Sequence, residues 1–142
     1  MEYHLNYKNI NIKIIELVRK AIITDRIFKK KGLERVNILI NLKNNLCEVY
    51  KIQKDKQPLL KPSLKFNNMD YYDKKTYSIY LNHDKLSLIT FLHEFKHFLQ
   101  HHFNKPNNEK IARGYSISLF YIASPRHFKK ALQKGLILHQ KP

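Results

Sequence analysis

Ile89-Thr90-Phe91-Leu92-His93-Glu94-Phe95-Lys96-His97-Phe98-Leu99-Gln100-His101-His102 is the stretch that decides how this chain reads. It carries His-Glu-x-x-His inside a run with helical periodicity, the pattern of zinc hydrolases. Leu88, Leu92, Phe95 and Leu99 recur at helical spacing to form a buried stripe, and Asn82 or Asp84 offers an N-cap ahead of it. Residues four apart on a helix share a face, so the imidazoles of His93 and His97 can reach one ion at roughly 2.0–2.1 Å. Glu94 sits beside that face, where a carboxylate can take a proton from a metal-activated water and deliver it to a leaving amine. The bland alternative is a surface helix with incidental histidines.

Length and composition bound what such a site can belong to. The 142 residues predict a single domain, 1–142, with a modest core and no room for separate binding and catalytic domains. A hydrophobic content of 43% with 12% aromatics predicts a folded chain. The lone Cys47 excludes an internal disulfide and an all-cysteine metal cage, which suits a reducing interior. The first apolar region, Ile10 to Phe28, is interrupted by Lys13, Glu16, Arg19, Lys20 and Asp25. It reads neither as a signal peptide nor as a membrane span, and a cytoplasmic protein is expected.

The formal net charge is +16. Such a surface attracts polyanions, so nucleic acid is a candidate partner beside a protein or peptide substrate. Lys, Asn, Ile and Tyr are abundant together, however, a mixture that an AT-biased coding sequence produces without selection for binding. Basic residues cluster at Lys29-Lys30-Lys31 and from Lys110 to Lys141, where no carboxylate follows Glu109. Composition leaves the oligomeric state open.

Taken in order, the chain predicts an amphipathic helix from Asn9 or Asn11 to Lys30, with Ile14, Leu17, Val18, Ala21, Ile22 and Phe28 inward and Gly32 as its stop. Lys29 to Lys31 would then lie against the negative end of its dipole. Arg35–Leu42 and Leu46–Ile52 are β-branched and apolar and read as a hairpin, with Cys47 as a half-buried strand thiol. Lys54–Pro62 reads as a loop, Ser63–Asn67 as a short strand, Asn68–Lys75 as a turn and Thr76–Leu81 as a strand. If that last strand forms the open sheet edge, an extended peptide can add to it. A hydroxyl of Tyr71, Tyr72, Tyr77 or Tyr80 is then available to stabilise an oxyanion, although cross-strand packing is the commoner use of such residues. After the metal helix, Asn104–Asn108 breaks the chain. A helix from Glu109 carries Ala112, Tyr115, Leu119 and Ile122 inward and ends at Ser124-Pro125, and a short basic helix follows from Arg126 to Lys134.

A catalytic zinc site needs a third protein ligand and one open position. His101 stands two turns, about 12 Å, from His93 on a straight helix, too far for one ion to bridge. His102 lies on the wrong face, and His127 lies beyond a turn. Glu109 is the best candidate, since the connection from Phe103 can span roughly 20 Å and return the second helix antiparallel to the first. A carboxylate in the first turn of a helix is, however, favoured by the dipole alone.

His93-Glu94-Phe95-Lys96-His97, followed by Glu109-x-x-Ala112-x-x-Tyr115-Ser116-x-x-Leu119-Phe120 and Ser124-Pro125-x-x-Phe128, resembles the zincin-type metallopeptidases of the ImmA/IrrE kind. The resemblance covers about residues 76–130. It departs from the family pattern in the short interval between His97 and Glu109 and in Ser116, which stands where Ala is usual. It implies an α+β, zincin-like domain: an N-terminal helix, a three-to-four-stranded sheet, the metal helix and a following helix. It further implies Zn2+ held by His93, His97 and Glu109, with Glu94 as general acid/base in hydrolysis of a peptide bond in a regulatory protein. The related SprT-like, DNA-dependent proteases suit the basic charge and usually take a histidine as third ligand, here His127 or His139. The rival from another class is a basic DNA- or RNA-binding regulator with a structural or vestigial metal site.

Overall fold

In the computed structural model, which describes residues 10–63, 69–135 and 137, the Asn11 side chain accepts the backbone N–H of Lys13 at 2.8 Å and starts helix α1, Ile12–Arg19. One wider π turn, Lys20–Thr24, extends it, and Ile14, Val18, Ala21 and Ile22 are buried as their spacing predicts. The element stops there, short of the expected Lys30. Arg26 takes a left-handed backbone (φ 55°), and a 3-10 turn at Ile27–Lys29 follows. That reversal buries Ile27 and turns Phe28 outward, 40% exposed.

The expected hairpin is instead a single helix, α2, Gly32–Val49. Leu39, Leu42, Leu46 and Cys47 are all buried, and these positions fall on one face at a period of 3.6. The β-branched Val36, Ile38 and Ile40 lend the segment strand propensity, but burial of this face outweighs a preference of tenths of a kcal/mol per residue. Gly32 therefore opens a helix rather than closing one, with φ 54°. Lys30 pairs with Glu34 at 3.5 Å instead of facing a helix C-terminus.

The sheet is small and mixed. Strand β1, Leu59–Pro62, stands where a loop was expected and runs parallel to β3, Ser78–Leu81. Strand β2, Tyr71–Asp73, occupies part of the expected turn and runs antiparallel to β3, with Tyr72 opposite Ile79. The order β1-β3-β2 makes β3 the central strand, which corrects the expectation of an open edge at 76–81. Ser78, Ile79 and Leu81 are all buried, the pattern of a strand covered on both faces. Ser63 continues the ladder through its N–H to the Leu81 carbonyl, while the rest of the expected strand, 64–67, lies outside the described residues.

Helix α3, Leu88–His102, carries the His-Glu-x-x-His motif and is capped by Ser87, whose hydroxyl accepts from Thr90 N–H at 3.2 Å. The expected cap Asn82 instead accepts from Asp84 N–H within the preceding turn. Beyond the predicted stripe, Phe91 and Phe98 are also fully buried, because α3 is covered by the sheet on one side and by helix α4, Glu109–Ala123, on another. Asn108 caps α4 through Ile111 N–H, and Arg19 of α1 donates to the carbonyls of Ile122 and Ala123 at its far end. Helix α5, Pro125–Gln133, follows with Pro125 in its first turn. The described residues are thus α+β, and no helix among them is long and apolar enough to cross a membrane.

Gly114 lies within α4, and a Cβ built there meets nothing within 4 Å. Gly114→Ala is expected to raise unfolding free energy by about 0.5–1 kcal/mol, read from urea denaturation midpoints at unchanged m-value.

Candidate metal centre

Helices α3 and α4 pack together with the opening turn of α4 beside the middle of α3, which places Glu109 against both histidines of the motif. Its carboxylate contacts His93 Nε2 through Oε1 at 2.5 Å and His97 Nε2 through Oε2 at 3.0 Å. One donor atom from each of His93, His97 and Glu109 lies within 4.8 Å of the others. Among the described residues no fourth His, Cys, Asp or Glu joins this group.

The hydrogen bonds around His97 determine its protonation. Gln100, one helical turn on and 5% exposed, receives Asn108 N–H on its Oε1 at 3.3 Å and gives its Nε2 to the Asn108 carbonyl at 3.1 Å. The backbone thereby fixes which way the amide points. Its oxygen also faces His97 Nδ1 at 3.0 Å, so Nδ1 must carry the proton. In the neutral ring Nε2 is then a bare lone pair aimed at a carboxylate oxygen. A proton on Nε2 or a shared cation satisfies that contact equally, and two imidazoles with one carboxylate are a donor set that can hold a metal ion.

The electrostatics agree. Burial lowers the His93 pKa, His97 and Arg113 push the same way, and Glu109 opposes them. Burial works against the charge on Glu109, but both imidazoles and their hydrogen bonds outweigh it and hold the carboxylate below its ordinary pKa. Glu94 is 8% exposed. Its carboxyl is pushed up to about 8 by burial first and then by the negative charges of Glu109 and Asp70, against a hydrogen bond from Tyr72 backbone N–H. In a chain with 27 basic and 11 acidic residues, three acidic side chains, Asp70, Glu94 and Glu109, line one cavity of about 460 Å³ together with His93.

On the other side of Glu94 lies a cavity of about 610 Å³, floored by His97, Gln100 and His101 and walled by β2 from Tyr71 to Asp73. The His/Glu cluster therefore sits between two openings that share Glu94. Of the four strand tyrosines, Tyr71 and Tyr72 line this groove; Tyr80 stacks on Tyr71 with centroids 4.6 Å apart, and Tyr77 lies against His101. The Tyr72 hydroxyl is 2.8 Å from His101 Nδ1, which gives His101 a place in the groove wall rather than in the His/Glu cluster.

The other residues weighed as ligands are occupied elsewhere. His102 packs on Phe98 and Phe103, and His127 bonds Ser124 Oγ at 2.7 Å and stacks on Phe28. His139 lies outside the described residues. Cys47 is fully buried in α2 rather than half-buried on a strand, and burial raises its thiol pKa to about 11 despite nearby Lys43, so it is not a nucleophile at neutral pH. The sequence gives neither Gln100 nor Arg113 a role at the cluster, although Gln100 stands three residues after His97, the spacing at which a helical neighbour meets a histidine's outer nitrogen. No protein-family model matches this chain, and neither a curated protein nor a solved structure matches it.

Gln100→Ala is expected to leave the fold intact and to weaken zinc binding about 10–100-fold, the usual cost of losing a group that orients a ligating histidine. Competition titration with a chromogenic chelator measures this. Unchanged affinity would show that His97 needs no such clamp.

Proposed function

We propose that this chain is a zinc-dependent metallopeptidase of the zincin type, resembling the ImmA/IrrE kind, that hydrolyses a peptide bond in a protein substrate. The observation that carries the reading is the convergence of His93, His97 and Glu109 on one point, with Glu94 beside them in a groove bordered by an edge strand. His93 Nε2, His97 Nε2 and the Glu109 carboxylate would hold the metal. Zinc in such a site supplies Lewis acidity to a water and to a carbonyl oxygen.

The chain's own groups do the rest. Glu94, buried and oriented by Tyr72 N–H, carries a proton from the attacking water to the leaving amine, and its pKa near neutrality suits both directions of transfer. An extended peptide lies along β2, the edge strand beside the groove, rather than along β3, whose two sides are already paired. The openings on either side of Glu94 give such a peptide a path across the cluster.

Elemental mass spectrometry of the purified protein tests the reading. About one zinc per chain is expected, lost in Glu109→Ala and kept in His127→Ala. Zinc retained without Glu109, or lost without His127, would overturn the ligand set; a folded wild type that takes up no zinc would overturn the reading as a whole. The rival, a nucleic-acid-binding regulator with a closed structural metal, requires a fourth protein ligand. His127, one candidate for that place, is bonded to Ser124 instead.

A further inference from the structure

At the other end of α4 from Glu109, roughly 16 Å along the helix axis, lies a second cavity of about 530 Å³. Two parts of the chain far apart in sequence build it: the turn between α1 and α2 with the start of α2, and α5 with the end of α4. Arg26, Lys29, Arg126, Lys130 and Lys134 line it, and no carboxylate does. None of these five cations forms an ion pair among the described residues, whereas Lys20 and Lys30 nearby are both neutralised, by Asp25 and Glu34. Arg35 also lines the cavity but is committed to the carbonyls of Ile27 and Lys85, so it braces the wall.

The cavity also has an aromatic platform. Phe28 is 40% exposed, and the His127 ring stacks on it at 5.7 Å with an interplanar angle of 27°. Ile23 adds exposed apolar surface beside it. Unpaired cations around an exposed aromatic ring are what a phosphodiester strand with unstacked bases requires: the cations take the phosphates, and the ring takes a base face. A purely anionic polypeptide would leave the ring unused, and a duplex would not offer it a base. We propose that this cavity binds single-stranded nucleic acid, with phosphates on Arg26, Lys29, Arg126 and Lys130 and a base stacked at Phe28. The site is separate from the His/Glu cluster and stands or falls independently of the peptidase reading.

Fluorescence anisotropy with a labelled oligothymidylate of about 15 nucleotides tests it. Wild type is expected to bind in the micromolar range or tighter at low salt, with affinity falling steeply as salt rises. Arg126→Glu with Lys130→Glu is expected to weaken binding at least about tenfold and to lower the logarithmic salt slope by about 2. Lys54→Glu with Lys56→Glu, the same charge change on an exposed turn outside the cavity, is expected to cost far less. Phe28→Ala, checked for folding by circular dichroism because Phe28 also touches Phe120, is expected to weaken binding about tenfold. Absence of binding by wild type, equal losses in the two charge-reversal pairs, or equally good competition by polyglutamate would each overturn the proposal. Unchanged binding in Glu94→Gln is expected, and a loss there would place the strand at the metal centre instead.

Discussion

Glu94→Gln is expected to keep about one zinc per chain and to lose about 10²–10⁴-fold in cleavage rate. The amide has the shape of the carboxyl but cannot accept the proton of the attacking water. Glu94 is no member of the converging donor set, which consists of His93, His97 and Glu109, so the metal stays. The change also removes a carboxyl that burial, Glu109 and Asp70 all disfavour in its charged form, so the folded protein suffers no new unpaired charge. Zinc analysis beside cleavage of an unstructured protein such as casein reads both quantities. Cleavage at the wild-type rate with zinc in place would remove Glu94 from the mechanism.

His97→Ala has the opposite signature: metal and cleavage are expected to disappear together. His97 is held at both ring nitrogens, with Nδ1 fixed by Gln100 and Nε2 directed at Glu109. Its removal leaves one imidazole and an exposed carboxylate, too few donors for a stable zinc site. Equilibrium dialysis against zinc, with circular dichroism to confirm folding, separates loss of the site from loss of the chain. A His97→Ala protein that still binds zinc at wild-type affinity would show that the metal sits elsewhere. The contrast between the two variants matters more than either alone, since misfolding removes both properties and only a proton carrier separates them.

The motif helix was legible because everything that makes it is local. The fourfold spacing of His93 and His97 and the stripe Leu88, Leu92, Phe95, Leu99 are properties of one stretch, and all four apolar residues are buried. The same holds for α4 and α5, where Asn108 and Pro125 mark the starts. Periodicity was also present in Gly32–Val49, through Leu39, Leu42 and Leu46, but Val36, Ile38 and Ile40 lent it the composition of strands. The helix wins there because burial of a whole face outweighs intrinsic preference.

Local patterning puts His93 and His97 four apart on one helix with Glu94 between them and makes Glu109 the best candidate for a third donor. Only the tertiary structure brings Glu109 against the two imidazoles while His127 bonds Ser124, since that depends on which end of α4 packs beside α3. It also decided that β2 borders the groove while β3 is enclosed, because strand order is a matter of pairing between segments that local patterning does not encode. Gln100 became recognisable as the clamp on His97 once the loop after α3 brought Asn108 back to it, fixing its amide with backbone groups eight residues away. Spacing along a helix is set by covalent geometry and is readable from the chain. The meeting of Glu109, Gln100 and His97 is set by packing, and packing exists only in the folded molecule.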